Sequence, residues 1–271
     1  MENAPSQPLV SVIIPVYNAA ETITRTMESL YAQQYDQLQI ILVNDGSRDD
    51  SEAVCRSLME NDRRIELYTQ KNMGCAAARN TALSHARGDL YCFMDADDTM
   101  EMGALKKMVD AIGDTDIVIA HYYFVLGKVA TEHGLIDEDA VFDENRFLNA
   151  LVKQPGAFYY SALWNKLYRG DIIRENASLM FDSRLTWGED FAFNMRYYAF
   201  VHSARMLPQP VYSYYKAPGG ISVRALLHIA YSCRIKWILY LYFKALCIKK
   251  GIWEEKKARI RLYIFNITLS D

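Results

Sequence analysis

The sequence predicts an α/β protein built on a mostly parallel sheet flanked by helices, and three observations carry that expectation. Strand-length apolar runs alternate with helix-period runs over the first hundred residues. A polar loop follows each of those strands. The last loop opens on a run of acids, Asp95-Ala96-Asp97-Asp98, directly after the apolar stretch Leu90-Tyr91-Cys92-Phe93-Met94. Strands separated by single helices pair in parallel, with helices on both faces. In such sheets ligands sit beyond the carboxyl ends of the strands.

Each element has its own justification. Residues 10–14 form a first buried strand, which Pro15 is expected to end. Residues 20–33 place Ile23, Met27, Leu30 and Tyr31 at helical spacing. Residues 38–43 are a second strand, and the turn Asn44-Asp45-Gly46-Ser47 leads to a helix over 49–61. A third strand covers 64–68, and Asn72-Met73-Gly74 breaks the chain before a helix over 75–86. Gly88 stops that helix, and 89–94 is the fourth strand. A further strand is expected over 114–120, and another over 212–215 after a break at Pro208 and Pro210. Helix resumes from about residue 225, with a second helix over 254–267. Residues 121–160 carry no clear period.

Composition narrows the class. The chain has 271 residues and is 51% hydrophobic, enough for a sizeable core and against disorder. Five cysteines without a Cys-x-x-Cys pair argue against a disulfide framework or zinc site and for a reduced, cytoplasmic chain, with Cys92 buried in its strand. The polar opening predicts no signal peptide, and no uncharged apolar run is long enough to span a bilayer. The net charge of −3 is unevenly spread: residues 201–271 carry 12 Lys+Arg and 3 Asp+Glu, and the rest of the chain is strongly acidic. A basic, aromatic tail on an acidic body points to an anionic surface or to a solvated helical face.

The acid run reads in two ways. Three carboxylates within four positions repel one another and suit a hard divalent metal that grips phosphates. They also suit a turn, with Asp98 starting the next helix. Convergence favours the metal: Pro15-Val16-Tyr17-Asn18, Asn44-Asp45-Gly46-Ser47, Lys71-Asn72-Met73-Gly74 and Asp95-Ala96-Asp97-Asp98 all fall on one sheet edge.

With Ala78-Arg79-Asn80 added, this ordered series resembles the inverting glycosyltransferases of family 2, which have the GT-A fold. The resemblance is strong over residues 8–100 and weaker through Trp164-Asn165-Lys166-Leu167-Tyr168 and Trp187-Gly188-Glu189-Asp190. One departure is Asn44 in place of the first of two acids; Asp45 keeps the second. The resemblance implies a catalytic domain over 1–220, with a nucleotide-binding half at 8–100 and an acceptor-binding half at 101–220. Residues 221–271 are then a basic, aromatic helical extension.

The resemblance also implies roles. A uracil base would pack on Tyr17 and give its imide N–H to Asp45, with Pro15 shaping that loop and Pro15, Asn18 and Asn72 among the nucleotide-binding positions. Arg79 would support the donor site through the acid loop or the phosphates. Asp97 would hold Mn²⁺ or Mg²⁺ against the diphosphate, and Asp95 would contact the ribose or reach the metal through water. Asp190 is the expected base, with Glu189 next; Trp187 would pack on sugar or acceptor, and Trp164 and Lys166 are weaker candidates there. Arg224, on a Gly-Gly loop, would close over the diphosphate, while His228 reads as an ordinary helix histidine before a metal ligand.

The expected partners are a nucleotide-sugar donor and a glycan or glycolipid acceptor. The tail would rest on anionic membrane, with a homodimer interface as the competing reading and no nucleic acid. Two other functions fit part of the pattern. A haloacid-dehalogenase-type phosphatase also begins with a strand and Asp-x-Asp, but Asp98 replaces its usual Gly and three strands precede the motif. A non-catalytic nucleotide-sugar-binding relative is opposed by the intact Asp95, Asp97, Glu189 and Asp190.

Overall fold

The computed structural model describes residues 7–216 and 229–266. Arg224 and His228 lie outside the described residues. The chain runs β1 (Val10–Val16), α1 (Ile23–Tyr31), β2 (Leu38–Asp45), α2 (Ser51–Asn61), β3 (Ile65–Gln70), α3 (Cys75–His85) and β4 (Leu90–Phe93). It continues through β5 (Thr99–Met100), α4 (Ala104–Ile112), β6 (Ile117–Leu126), β7 (Val129–His133), β8 (Ala140–Asp143), α5 (Glu144–Leu151) and α6 (Phe158–Ser161). Then come β9 (Lys166–Arg169), α7 (Gly170–Glu175), α8 (Glu189–Tyr197), β10 (Ser203–Tyr215) and two C-terminal helices, Ile229–Lys249 and Trp253–Asn266.

One sheet, ordered β3-β2-β1-β4-β9-β6-β10-β5, organises the fold. β3, β2, β1 and β4 are mutually parallel, β9 is antiparallel to both its neighbours, and β6 and β10 are parallel. The predicted β-α alternation therefore holds, and the four polar loops lie at one edge.

Alternation along β1 sorts the core into two layers. Val10, Val12, Ile14 and Val16 face α1 and α4, meeting Ile23, Met27, Leu30, Leu105 and Met108. Ile13 faces the other side, with Ile41, Val43, α3, α8 and the helix Ile229–Lys249. Each fully buried large apolar side chain contributes about 1.5–3 kcal/mol.

Three boundaries differ from expectation, each for a local reason. Pro15 lies inside β1, paired with Val43. Its missing N–H faces the side where β4 has already left the ladder, since that pairing ends at Ile13 and Phe93. Pro208 and Pro210 likewise lie within β10, at register shifts against β6, where a strand tolerates a residue that cannot donate. The tail is also more than an appendage: Ile235, Leu239, Phe243, Leu246 and Cys247 are buried in the core. The four cysteines with described side chains are free, and Cys92 is buried as expected.

Candidate active site

The loops after β1 and β2 brace each other. Asn18 adopts a left-handed φ of 50°, accepts from Arg48 N at 2.8 Å and donates its N–H to Ser47 Oγ at 3.1 Å. This leaves the Tyr17 ring 46% exposed at the sheet edge. Asp45 is buried and ties β2 to the loop after β3. It accepts from Gln70 Nε2 at 2.7 Å, Met73 N at 2.9 Å and Gly74 N at 2.8 Å. Two carboxylate oxygens offer about four acceptor sites, so one remains. Gly46 permits the contact between these loops, because a Cβ there would lie 2.7 Å from Asn72 N. Asn72 itself is exposed at the loop tip.

Arg79 joins the two halves of the site. It projects from α3, and its side chain is only 4% exposed. Nη2 donates to Asp95 Oδ1 at 2.8 Å, while Nη1 donates to Asp190 Oδ1 at 2.7 Å and Glu189 Oε1 at 3.1 Å. Burial opposes the guanidinium's charge, and the surrounding acids outweigh it, holding Arg79 firmly protonated. The reverse balance applies to Asp190. Burial pushes its carboxyl well above the ordinary range; Arg79 pulls it down, and Glu189 and Asp95 push it up again. One cation shared among three carboxylates cannot neutralise them all. Glu189 and Asp190 open α8, where the helix dipole favours negative charge.

The acid run is divided by function of position. Asp97 is exposed, and Asp95 is partly exposed beside it. Asp98 is buried and holds the loop in place, accepting from Tyr212 Oη at 3.0 Å and Tyr215 N at 2.8 Å. Tyr212 Oη in turn accepts from Asp95 N at 3.0 Å. On the other side Thr26 Oγ1 donates to the carbonyls of Ala96 and Asp98, at 3.0 and 2.7 Å. Arg25 donates to the Asp97 carbonyl while lying over the Tyr215 ring. Asp98 thus supports the loop that presents Asp95 and Asp97, and it starts no helix. Burial, then the neighbouring Asp95 and Asp97, push its carboxyl well above the usual range. Tyr212, Thr26 and Arg25 escaped the sequence reading; their partners lie 70 or more residues away and carry no local signature.

The acceptor-side candidates separate. Trp187 is half-buried at the turn into α8, packed against the core. Gly188 follows it at φ +79°, where a Cβ would lie 2.8 Å from Leu239 Cδ1 of the C-terminal helix. Trp164 is instead buried, stacked on Tyr212 at 4.8 Å and Tyr214 at 5.6 Å between ring centroids. Lys166 is fully buried, donating to Tyr159 O, Ala162 O and Asn165 Oδ1. It braces the segment before β9 and cannot reach a substrate.

The profile described as "Glycosyl transferase family 2" matches residues 11–176. The chain is 32% identical over 218 residues to the "Putative glycosyltransferase EpsH" of Bacillus subtilis (strain 168), covering 76% of this chain. It spans about 60% of that relative's length. Among solved structures it is similar to S. aureus TarS 1-349 in complex with UDP-GlcNAc. That match has a TM-score of 0.72 and 22% identity, over 89% of this chain and 66% of the other. The mannosyltransferase PcManGT from Pyrobaculum calidifontis, in complex with GDP-Man and Mn²⁺, matches with a TM-score of 0.59 and 18% identity. This covers 98% of this chain and 81% of that one. At these identities the structural matches show a shared fold.

Proposed function

Because the chain belongs to glycosyl transferase family 2 and has the GT-A fold, we propose that it is an inverting transferase acting on a UDP-sugar. The acceptor is a hydroxyl of a glycan or lipid-linked glycan. Residues 8–100 hold the donor in this reading, and the rest of the catalytic domain, to about residue 220, holds the acceptor. One observation carries the proposal: Arg79 joins Asp95 of the acid loop to Asp190 at the start of α8. The bound UDP-GlcNAc of TarS supports the choice of nucleotide.

Each residue then has a task. Tyr17 offers its exposed ring to the base, the free acceptor site of Asp45 takes an N–H, and Asn72 borders the nucleoside. Asp95, partly exposed beside Asp97, meets the ribose in this reading. No three His, Cys, Asp or Glu side chains converge as a metal cage among the described residues. The donor set fits a hard ion of another kind: Mg²⁺ and Mn²⁺ take one or two protein carboxylates and complete their shell with substrate phosphates and water. Asp97, exposed beside Asp95, suits that role. When bound, such an ion supplies Lewis-acid stabilisation to the departing diphosphate.

Asp190 does the proton work. Its free oxygen takes the proton of the acceptor hydroxyl as the new bond to the anomeric carbon forms and the bond to the phosphate oxygen breaks. Arg79 fixes the direction of that carboxylate, and Glu189 shares its charge. Environment sets the pH response. A base must be ionised, and burial with acidic neighbours raises Asp190. Transfer should therefore rise with pH through an ionisation above the ordinary carboxylate range. UDP release from a panel of UDP-sugars, followed across pH with Mn²⁺ present, checks this. A rate flat from pH 5 upward would remove Asp190 from the role.

A further inference from the structure

The helix Ile229–Lys249 has two apolar faces, and only one is used by the fold. Its inner stripe, Ile235, Leu239, Phe243 and Leu246, is sealed in the core. Its outer stripe is exposed: Trp237 at 53%, Leu241 at 44% and Ile248 at 55%. Steps of four and seven residues align these three along the outer surface, with exposed Arg234 beside them. A Trp among exposed aliphatic side chains makes this a second apolar stripe, one that the described residues leave uncovered.

Charge identifies what that stripe meets. The described part of the helix carries Arg234, Lys236, Lys244 and Lys249, and no Asp or Glu lies between Arg234 and Trp253. Lys250 is held by Glu144. Lys244 lies over the Trp253 ring and Lys249 over the Phe200 ring, contacts that leave their charge uncancelled. The stripe is therefore apolar with a cationic border. In a two-fold dimer the same patch faces itself, so these cations would oppose one another. A bilayer with anionic headgroups matches both features at once, since Trp and aliphatic side chains enter the headgroup boundary while Lys and Arg meet the phosphates. Among the described residues no helix is long and apolar enough to cross a membrane, and the helix would lie on the surface.

We propose that this outer face docks the protein on anionic membrane. The same helix also supports the site. Leu239 fills the space that a Cβ at Gly188 would need, and Tyr242 Oη donates to Asp182 Oδ2 at 2.8 Å, bracing the loop before Glu189 and Asp190. The docking stands on the helix's own outer face and does not rest on the transferase reading.

Vesicle sedimentation of the whole chain tests it. The chain should sediment with phosphatidylglycerol vesicles and remain free with pure phosphatidylcholine, and added salt should weaken the binding. Vesicles should shift Trp emission to the blue, and the shift should vanish in Trp237→Phe, a change small enough to keep the fold. Replacing Trp237, Leu241 and Ile248 together by Ser should weaken partitioning by at least about tenfold, with UDP affinity unchanged. Equal binding to neutral vesicles, no binding by the wild type, or full binding by the triple variant overturns the proposal. So does light scattering that shows a dimer which the triple variant splits. Wild type that ignores vesicles yet binds UDP fails the docking alone, and wild type that binds vesicles but no nucleotide fails the transferase reading alone.

Discussion

Replacing Asp190 with Asn is expected to lower sugar transfer by about 10²- to 10⁴-fold, the usual contribution of a positioned base, and to leave UDP affinity unchanged. The substitution is nearly isosteric, and the Asn carbonyl can still accept from Arg79 Nη1, which lies 2.7 Å from the present carboxylate oxygen. The loop before α8 and the donor side therefore stay in place, and only the proton acceptor is lost. Glu189→Gln should cost less, because Glu189 accepts from Arg79 at a longer 3.1 Å and sits beside the base. Initial rates of UDP release with acceptor present, alongside a UDP titration, separate the effects. A larger loss in the Glu189 variant would exchange the two assignments.

Replacing Arg79 with Leu should be the most damaging change to stability, by about 3–5 kcal/mol, the cost of leaving buried charge without its partner. Asp95, Glu189 and Asp190, each only partly exposed, would face one another with no cation among them. Urea unfolding measures the loss as a lower midpoint. The pH dependence gives a second signature. Uncompensated burial raises the folded-state pKa of these acids, so the folded form binds more protons than the unfolded. Stability of the variant should then fall as pH rises through those values and recover as pH is lowered through them. Arg79→Lys should recover part of the stability and less of the activity, because one ammonium cannot reproduce the fork that reaches both loops.

Much of the fold was legible because its cues are local. Alternating apolar runs announced β1 to β4 and α1 to α3, and the Gly46, Gly74 and Gly88 breaks separated them. The polar residues of the site sat in the loops that parallel topology brings to one edge. What escaped depends on distant partners. Asp98 looked like a helix start because its acceptor role is set by Tyr212 and Tyr215, more than a hundred residues on. Lys166 looked like a site residue because a lone cation in a motif suggests solvent, whereas three carbonyl-type acceptors bury it. Pro15, Pro208 and Pro210 looked like strand ends because only the ladder shows which N–H positions are dispensable. The tail's charge was plain, but its inner stripe became visible only against α8.

Asp97 of the acid loop would hold the metal that steadies the leaving diphosphate, while Asp190 would act from the other side of Arg79. Calorimetric titration of UDP, with and without Mn²⁺, into wild type and Asp97→Asn tests it most directly. Tight UDP binding by the wild type is expected to require Mn²⁺, and Asp97→Asn to bind UDP more weakly and without a metal requirement. Equal UDP affinity with and without Mn²⁺ in the wild type, or an unchanged metal response in the variant, would contradict it.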